Sequence, residues 1–244
     1  DYKPVFWLAK DVLDSFPTSP FTDGILKKLI DKAIDLVASG ILLKHDFMGR
    51  IYHKLLLRTT GKYYATYYTS IPAAWLLANL VFKSRNPEWE FADIESIKNF
   101  RVIDPACGSG TLLSASYMAM KDLYILSCDS EPDLQKFHKV CLEEVFHGWD
   151  ILDYATHLTL TTLALHNYRS KFSACNIYTL PSGIGKTKKI HLGSLDYLFD
   201  QMPLVGMGFT EPAISKGIDQ EKREQEVPVP KVNVVIMNPP FSRS

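Results

Sequence analysis

The chain has 244 residues, of which 46% are hydrophobic, 12% aromatic and 22% charged, which excludes a disordered or collagen-like polypeptide. Lys plus Arg and Asp plus Glu each number 27, so a globally basic nucleic-acid binder is excluded and any phosphate contact must come from a local patch. No apolar run reaches the ~18–20 residues of a membrane span, and Asp1-Tyr2-Lys3-Pro4 lacks the basic-then-apolar profile of a signal peptide; we expect a cytoplasmic protein.

Residues 1–98 read as a mainly helical segment. Ile25, Leu29, Ile30, Ala33, Ile34 and Val37 recur at helical spacing before Gly40. A second helix is expected over 47–57, with Arg50, Lys54 and Arg58 on a solvated face. A third begins near Pro72 and runs to about Lys83 before Asn86-Pro87. From residue 99 the pattern turns to α/β. Arg101-Val102-Ile103 predicts a strand, and a glycine turn leads into a helix over 111–121. Tyr124–Cys128 is read as a strand, Leu134–Val145 as a helix, Val145–Trp149 as a short strand and Asp153–His166 as a helix. Ala174–Leu180 and Lys189–Leu192 are extended. The charged, proline-containing stretch 211–231 reads as a surface loop, and Val232–Met237 as a buried strand.

Cys107, Cys128, Cys141 and Cys175 stand 21, 13 and 34 positions apart, and the seven histidines are scattered, so neither a disulfide framework nor a metal site is expected. The cysteines are expected reduced and mostly buried. Pro181-Ser182-Gly183-Ile184-Gly185-Lys186-Thr187 imitates a phosphate-binding loop, but the glycine that motif needs at position 180 is Leu180.

Two motifs carry chemistry. In Asp104-Pro105-Ala106-Cys107-Gly108-Ser109-Gly110-Thr111, a strand ends in a carboxylate and passes through Gly-x-Gly into a helix. This puts Asp104 and the bare backbone of Gly108 and Gly110 at the carboxyl edge of a parallel sheet, where open α/β folds bind ligands. Leu113 replaces the third glycine of the dinucleotide fingerprint, and Asp104 would repel a pyrophosphate. A cationic or amino-bearing ligand such as the methionine end of S-adenosylmethionine suits it better. The second motif, Asn238-Pro239-Pro240-Phe241, ends the last apolar strand and belongs on the same rim. Its prolines remove two amide donors, leaving the Asn side chain and the Pro239 carbonyl as acceptors beside an aromatic ring.

Together these motifs resemble the adenine-N6 DNA methyltransferases, in the arrangement of type I and fused type II restriction–modification enzymes. The resemblance covers residues 46–244. It implies an α/β fold with a Rossmann-like methyltransferase sheet over 99–244, of which this chain holds only the first strands, leaving the fourth as an exposed edge after the Asn-Pro-Pro-Phe motif. The helical segment 1–98 precedes it. The resemblance further implies S-adenosylmethionine as cofactor, held by Asp104, Ala106, Cys107, Gly108, Gly110 and Thr111 of the first motif. Gly61–Ser70 is similar to the family's segment that contacts the methionine end, in the register Tyr67-Tyr68-Thr69 or, less well matched, Tyr63-Tyr64-Ala65.

A carboxylate for the ribose is Asp150, in Gly148-Trp149-Asp150-Ile151, or Asp129, which follows Asp104 by 25 residues; we favour Asp150 because the helix after it and the strand near Ile190 then follow in order. Gly193-Ser194-Leu195 is similar to the next family motif, with Ser194 where Asp or Asn is usual. Asn238, Pro239, Pro240 and Phe241 are the implied catalytic group, accepting hydrogen bonds from the target amine and stacking on an adenine rotated out of the duplex. Implied partners are double-stranded DNA, a specificity subunit or fused recognition domain, and a restriction subunit; no membrane is involved. Methylation of RNA bases or protein glutamine by the same chemistry, and a non-catalytic scaffold, are the alternatives.

Overall fold

The computed structural model describes residues 3–39, 69–84, 89–184, 190–197, 214–217, 225–226 and 231–239. The helix expected over 47–57, with its basic stripe, lies outside them. The chain divides into two compact units, Asp1–Phe47 and Met48–Ser244.

The first unit holds α1 (Lys3–Asp14) and α2 (Pro20–Ala38). Ser19 caps α2 by accepting a hydrogen bond from the Thr22 amide at 3.1 Å, and Pro20 occupies the first turn, where an amide would be unpaired anyway. No residue of α2 is buried, and Ile25, Leu29, Ile30, Ile34 and Val37 are all exposed.

In the second unit α3 (Ile71–Lys83) carries Pro72 in its first turn, as its sequence predicts, and buries Ala74, Ala78 and Phe82. It packs against α5 (Thr111–Ser127). Phe82 joins Trp89, Phe91 and Phe100 in an aromatic cluster with ring centroids 5.1–6.2 Å apart. The short helix α4 (Ile94–Lys98) supplies the fully buried Ile97 to the same core.

The sheet follows in chain order: β1 (Val102–Asp104), β2 (Phe146–Asp150), β3 (Asn176–Thr179), β6 (Ile214–Gly217), β7 (Gln225–Glu226) and β8 (Val234–Val235). Its order is β7-β6-β3-β2-β1-β8, parallel throughout β3-β2-β1-β8. The crossovers are α5 with α6 (Leu134–Val140), which passes through a π-helical turn into β2, and α7 (Asp153–Ala164), which leads to β3. The result is a mixed α/β unit with a small parallel sheet.

Four expectations change. Tyr124–Cys128 is not a strand, because α5 continues to Ser127: Tyr117, Met120 and Tyr124 are buried at helical spacing, and Tyr124 stacks on Phe137 at 5.2 Å. The strand near Ile190 is not the next sheet strand. It is β5 (Ile190–Leu192), antiparallel to β4 (Ser182–Ile184) in a separate hairpin, and β3 takes the place beside β2. The stretch 211–231 is not all loop, since β6 adds to the sheet antiparallel to β3 and β7 antiparallel to β6; charged residues suit strands at a sheet edge. The run 232–237 is not buried on both faces. Val234 and Ile236 are buried while Val235 and Met237 are exposed, so only one face of this run is covered. No disulfide joins the four cysteines; Cys107 and Cys141 are buried, and Cys128 and Cys175 only half-buried. Among the described residues no helix is long and apolar enough to cross a membrane.

The helical path of 124–127 is testable. Phe137, fully buried, is predicted to cost about 3–5 kcal/mol on truncation to Ala in urea unfolding. Leu126→Ala, at a position 78% exposed on the helix, is predicted to cost less than about 0.5 kcal/mol. A large loss there would place Leu126 in the core, as the strand requires.

Candidate active site

The turn between β1 and α5 is gripped by the protein on every side. Asp104, at the carboxyl end of β1, is 1% exposed and accepts a hydrogen bond from the Ala106 amide at 3.1 Å. The Cys107 amide donates to the Trp149 carbonyl at 2.8 Å, and the Gly110 amide to the Cys107 carbonyl at 2.8 Å. The Gly108 amide donates to Asp150 Oδ2 at 2.9 Å, while Asp150 Oδ1 accepts from Leu152 N at 3.0 Å. Asp150 ends β2, which is parallel to β1, so the two carboxylates stand on one edge of the sheet. Asp129 does not reach that edge. It is exposed beyond the far end of α5, whose 17 residues span about 25 Å.

Helix α7 completes the grip with residues that the motifs did not reveal. Thr159 Oγ1 donates to the Gly108 carbonyl at 2.9 Å, and Thr162 Oγ1 to the Ser109 carbonyl at 3.1 Å. Thr156 meets the Thr179 hydroxyl of β3 at 2.8 Å. The signal was present in the sequence as threonines at 156, 159 and 162, three apart and hence on one helix face. Gly110 is required twice over. Its φ is +80°, and a Cβ there would lie 2.9 Å from Thr159 Cα. Thr111 opens α5, with its hydroxyl 3.0 Å from that of Ser109.

Two further motif segments come to the same region. Gly193, with φ +65°, lies so close to Ile151 that a Cβ would meet Ile151 Cγ2 at 2.7 Å, which sets the turn of Ser194 and Leu195 against the residue after Asp150. Ser194 is half-buried and Leu195 exposed. Asn238 follows β8, the parallel neighbour of β1, and donates from Nδ2 to Thr69 Oγ1 at 3.0 Å. Pro239 is half-buried beside it. Tyr67, Tyr68, Pro240 and Phe241 lie outside the described residues, as do Tyr63-Tyr64-Ala65.

Burial dominates the electrostatics. It pushes the Asp104 carboxyl up to about 8; the Ala106 amide pulls against it and the Asp150 charge reinforces it. Asp150 is also raised by burial, against the amides of Gly108, Leu152 and Ile151. The Cys107 thiol is held well above its ordinary value by burial and by the charges of Asp150 and Asp104, so it is not a nucleophile near neutral pH.

The arrangement favours one class of ligand. The amides of Ala106, Cys107, Gly108 and Gly110 are all bonded within the protein, so they cannot cradle a phosphate. The buried Asp104 and half-buried Asp150 carboxyls, whose oxygens keep lone pairs to offer beyond these amide bonds, suit an amine or hydroxyls.

Residues 89–181 match the family described as MmeI, DNA-methyltransferase domain. The match takes in the first motif, Asp150, the threonine face of α7 and β3. It supports a DNA methyltransferase enzyme of the restriction–modification kind. No curated protein matches the chain.

Gly108→Ala, whose Cβ would meet nothing within 4 Å, is predicted to cost only the conformational penalty at φ +54°, about 1–2 kcal/mol. Gly110→Ala adds the clash with Thr159 and is predicted to cost at least twice as much in the same urea titration. Equal costs would contradict the close approach of α7. The raised Asp104 carboxyl stabilises the fold in its protonated form. That contribution is fully present below about 3.8, the ordinary value, declines as pH rises and is lost beyond about 8. Asp104→Asn keeps the acceptor for Ala106 and removes the titration, so melting curves from about pH 5 to about pH 9 are predicted to favour the variant increasingly as pH rises. A difference independent of pH would contradict it.

Proposed function

We propose that the chain transfers a methyl group from S-adenosylmethionine to the exocyclic N6 amine of adenine in DNA, within a restriction–modification system. The carrying observation is that the carboxylate–glycine turn after β1 and Asn238-Pro239 after β8 follow adjacent parallel strands, at the same edge of one sheet. The order β3-β2-β1-β8 supports a Rossmann-like methyltransferase sheet. The match to a DNA-methyltransferase domain favours DNA over RNA bases or protein glutamine.

The residues present fit this cofactor. It carries a cationic amine, a sulfonium and ribose hydroxyls but no phosphate, which meets a turn whose amides are bonded and whose flanks are Asp104 and Asp150. When bound it supplies an electrophilic methyl group. Asp104 would hold the amine and Asp150 the ribose hydroxyls, with the turns at Ala106–Thr111 and Ser194–Leu195 around the rest, and the resemblance assigns Tyr67 and Tyr68 to the methionine end. Asn238 Oδ1 and the Pro239 carbonyl accept hydrogen bonds from the adenine amine, which holds its lone pair toward the methyl without a general base. The resemblance assigns to Phe241 the stacking on the flipped base. Double-stranded DNA is the substrate, with specificity and restriction functions supplied by partner subunits or fused domains.

The test uses purified protein, labelled cofactor and unmethylated DNA, with N6-methyladenine identified by mass spectrometry. Asn238→Ala is predicted to lower transfer by roughly 100-fold or more, the scale of losing a preorganised hydrogen-bonding group, while cofactor affinity is kept. Undiminished transfer by that variant would overturn the assignment, and label recovered in cytosine, RNA or protein would redirect it.

A further inference from the structure

Asn238 is one half of a hydrogen bond that spans 169 positions of sequence: its Nδ2 donates to Thr69 Oγ1 at 3.0 Å. We propose that Thr69 is a positioning residue that holds the Asn238 amide with its carbonyl oxygen turned toward the target amine. This rests on the methyl-transfer reading above and adds to it a role for Thr69 other than contact with the cofactor.

A primary amide presents two opposite chemistries, a pair of N–H donors and a carbonyl acceptor, which exchange places by a half-turn about its broad terminal torsion. An exocyclic amine brings N–H groups to the site. Facing Oδ1 it finds an acceptor; facing Nδ2 it meets two more donors and cannot be held. The same side chain therefore binds or repels the amine according to which end is turned toward it. Thr69 Oγ1 accepts from Nδ2 and so engages the donor end elsewhere. Asn238 has little alternative support from its own loop, since the following Pro239 has no N–H to offer. The proline also restricts Asn238 to extended backbone, so the side-chain torsion is the freedom left to fix.

Thr69 itself is firmly placed. It stands two residues before α3, where the Ala74 amide bonds the Ser70 carbonyl at 2.9 Å. Ala74 and Ala78 are 1% and 0% exposed, and α3 packs against α5, the helix that the glycine turn opens. The orientation of the amide is thereby referred to the same core that holds Asp104.

Thr69→Val preserves shape and removes the acceptor; Thr69→Ser restores it. In the full protein, Thr69→Val is predicted to lower kcat for methyl transfer to DNA about tenfold, with the cofactor Kd and KM changed less than about twofold, and Thr69→Ser to recover most of the rate. In an Asn238→Ala background Thr69→Val is predicted to have no further effect. An unchanged kcat, a loss that persists in that background, or a rise in cofactor Kd at constant kcat would each overturn the proposal; the last would make Thr69 a cofactor ligand. An NMR readout separates this from the activity itself. The Asn238 side-chain amide protons are predicted to be slow to exchange in the wild type and in Thr69→Ser, and fast in Thr69→Val. Equal exchange in all three overturns the positioning role, whereas protection without any methyl transfer by the wild type overturns the enzymatic reading and leaves the contact standing.

Discussion

The structure depends on one constraint: the backbone between Asp104 and Gly110 turns sharply inside the protein, and each polar group it buries must find a partner there. An unpaired buried amide or carbonyl costs about 1–3 kcal/mol, so the turn can exist only if its neighbours supply the missing bonds. Asp104 serves Ala106, β2 serves Cys107 through the Trp149 carbonyl and Gly108 through Asp150, and α7 serves the Gly108 and Ser109 carbonyls through Thr159 and Thr162. The parallel pairing of β1 with β2 and the passage of α7 beside the turn are conditions for that bonding. Gly110 is the position where helix and turn come too close for any side chain.

Satisfying the turn from within decides its chemistry. A glycine turn whose amides are open attracts phosphate; here four of them are closed, and the buried Asp104 and half-buried Asp150 carboxyls remain beside them. Burial makes the charged form of Asp104 costly, which is why it titrates near 8. A cation arriving beside it reverses that cost by stabilising the carboxylate. Asn238, which follows the neighbouring strand, extends the same logic: its donor end is engaged by Thr69.

Much of this was legible in the sequence because it depends on short-range rules. Asp104 followed by Gly-x-Gly and a helical run, and an apolar run ended by Asn238-Pro239, each announce a strand end by local chemistry. The strand order was not legible at Ile190, since a three-residue run such as Ile190-His191-Leu192 is equally suited to a hairpin, and pairing is a long-range choice. Tyr124–Cys128 misled because aromatic and β-branched residues favour strands locally, while the stacking of Tyr124 on Phe137 lies outside any window of sequence. The threonines of α7 passed unnoticed for a related reason. Their spacing was visible, but a threonine on a helix ordinarily bonds its own preceding turn, and only the approach of the glycine turn gives Thr159 and Thr162 another partner.

The account's central claim is that this edge of the sheet binds a phosphate-free, amine-bearing ligand through Asp104. Titration calorimetry of S-adenosylmethionine against the protein near neutral pH, repeated in two buffers of different ionisation enthalpy and with NAD in its place, tests that claim most directly. The account predicts saturable binding of S-adenosylmethionine with release of a proton, because Asp104, protonated in the free protein at pH values below about 8, ionises against the ligand's amine. It predicts no binding of NAD. Binding of NAD in competition with S-adenosylmethionine, or S-adenosylmethionine binding whose heat is the same in both buffers, would contradict it.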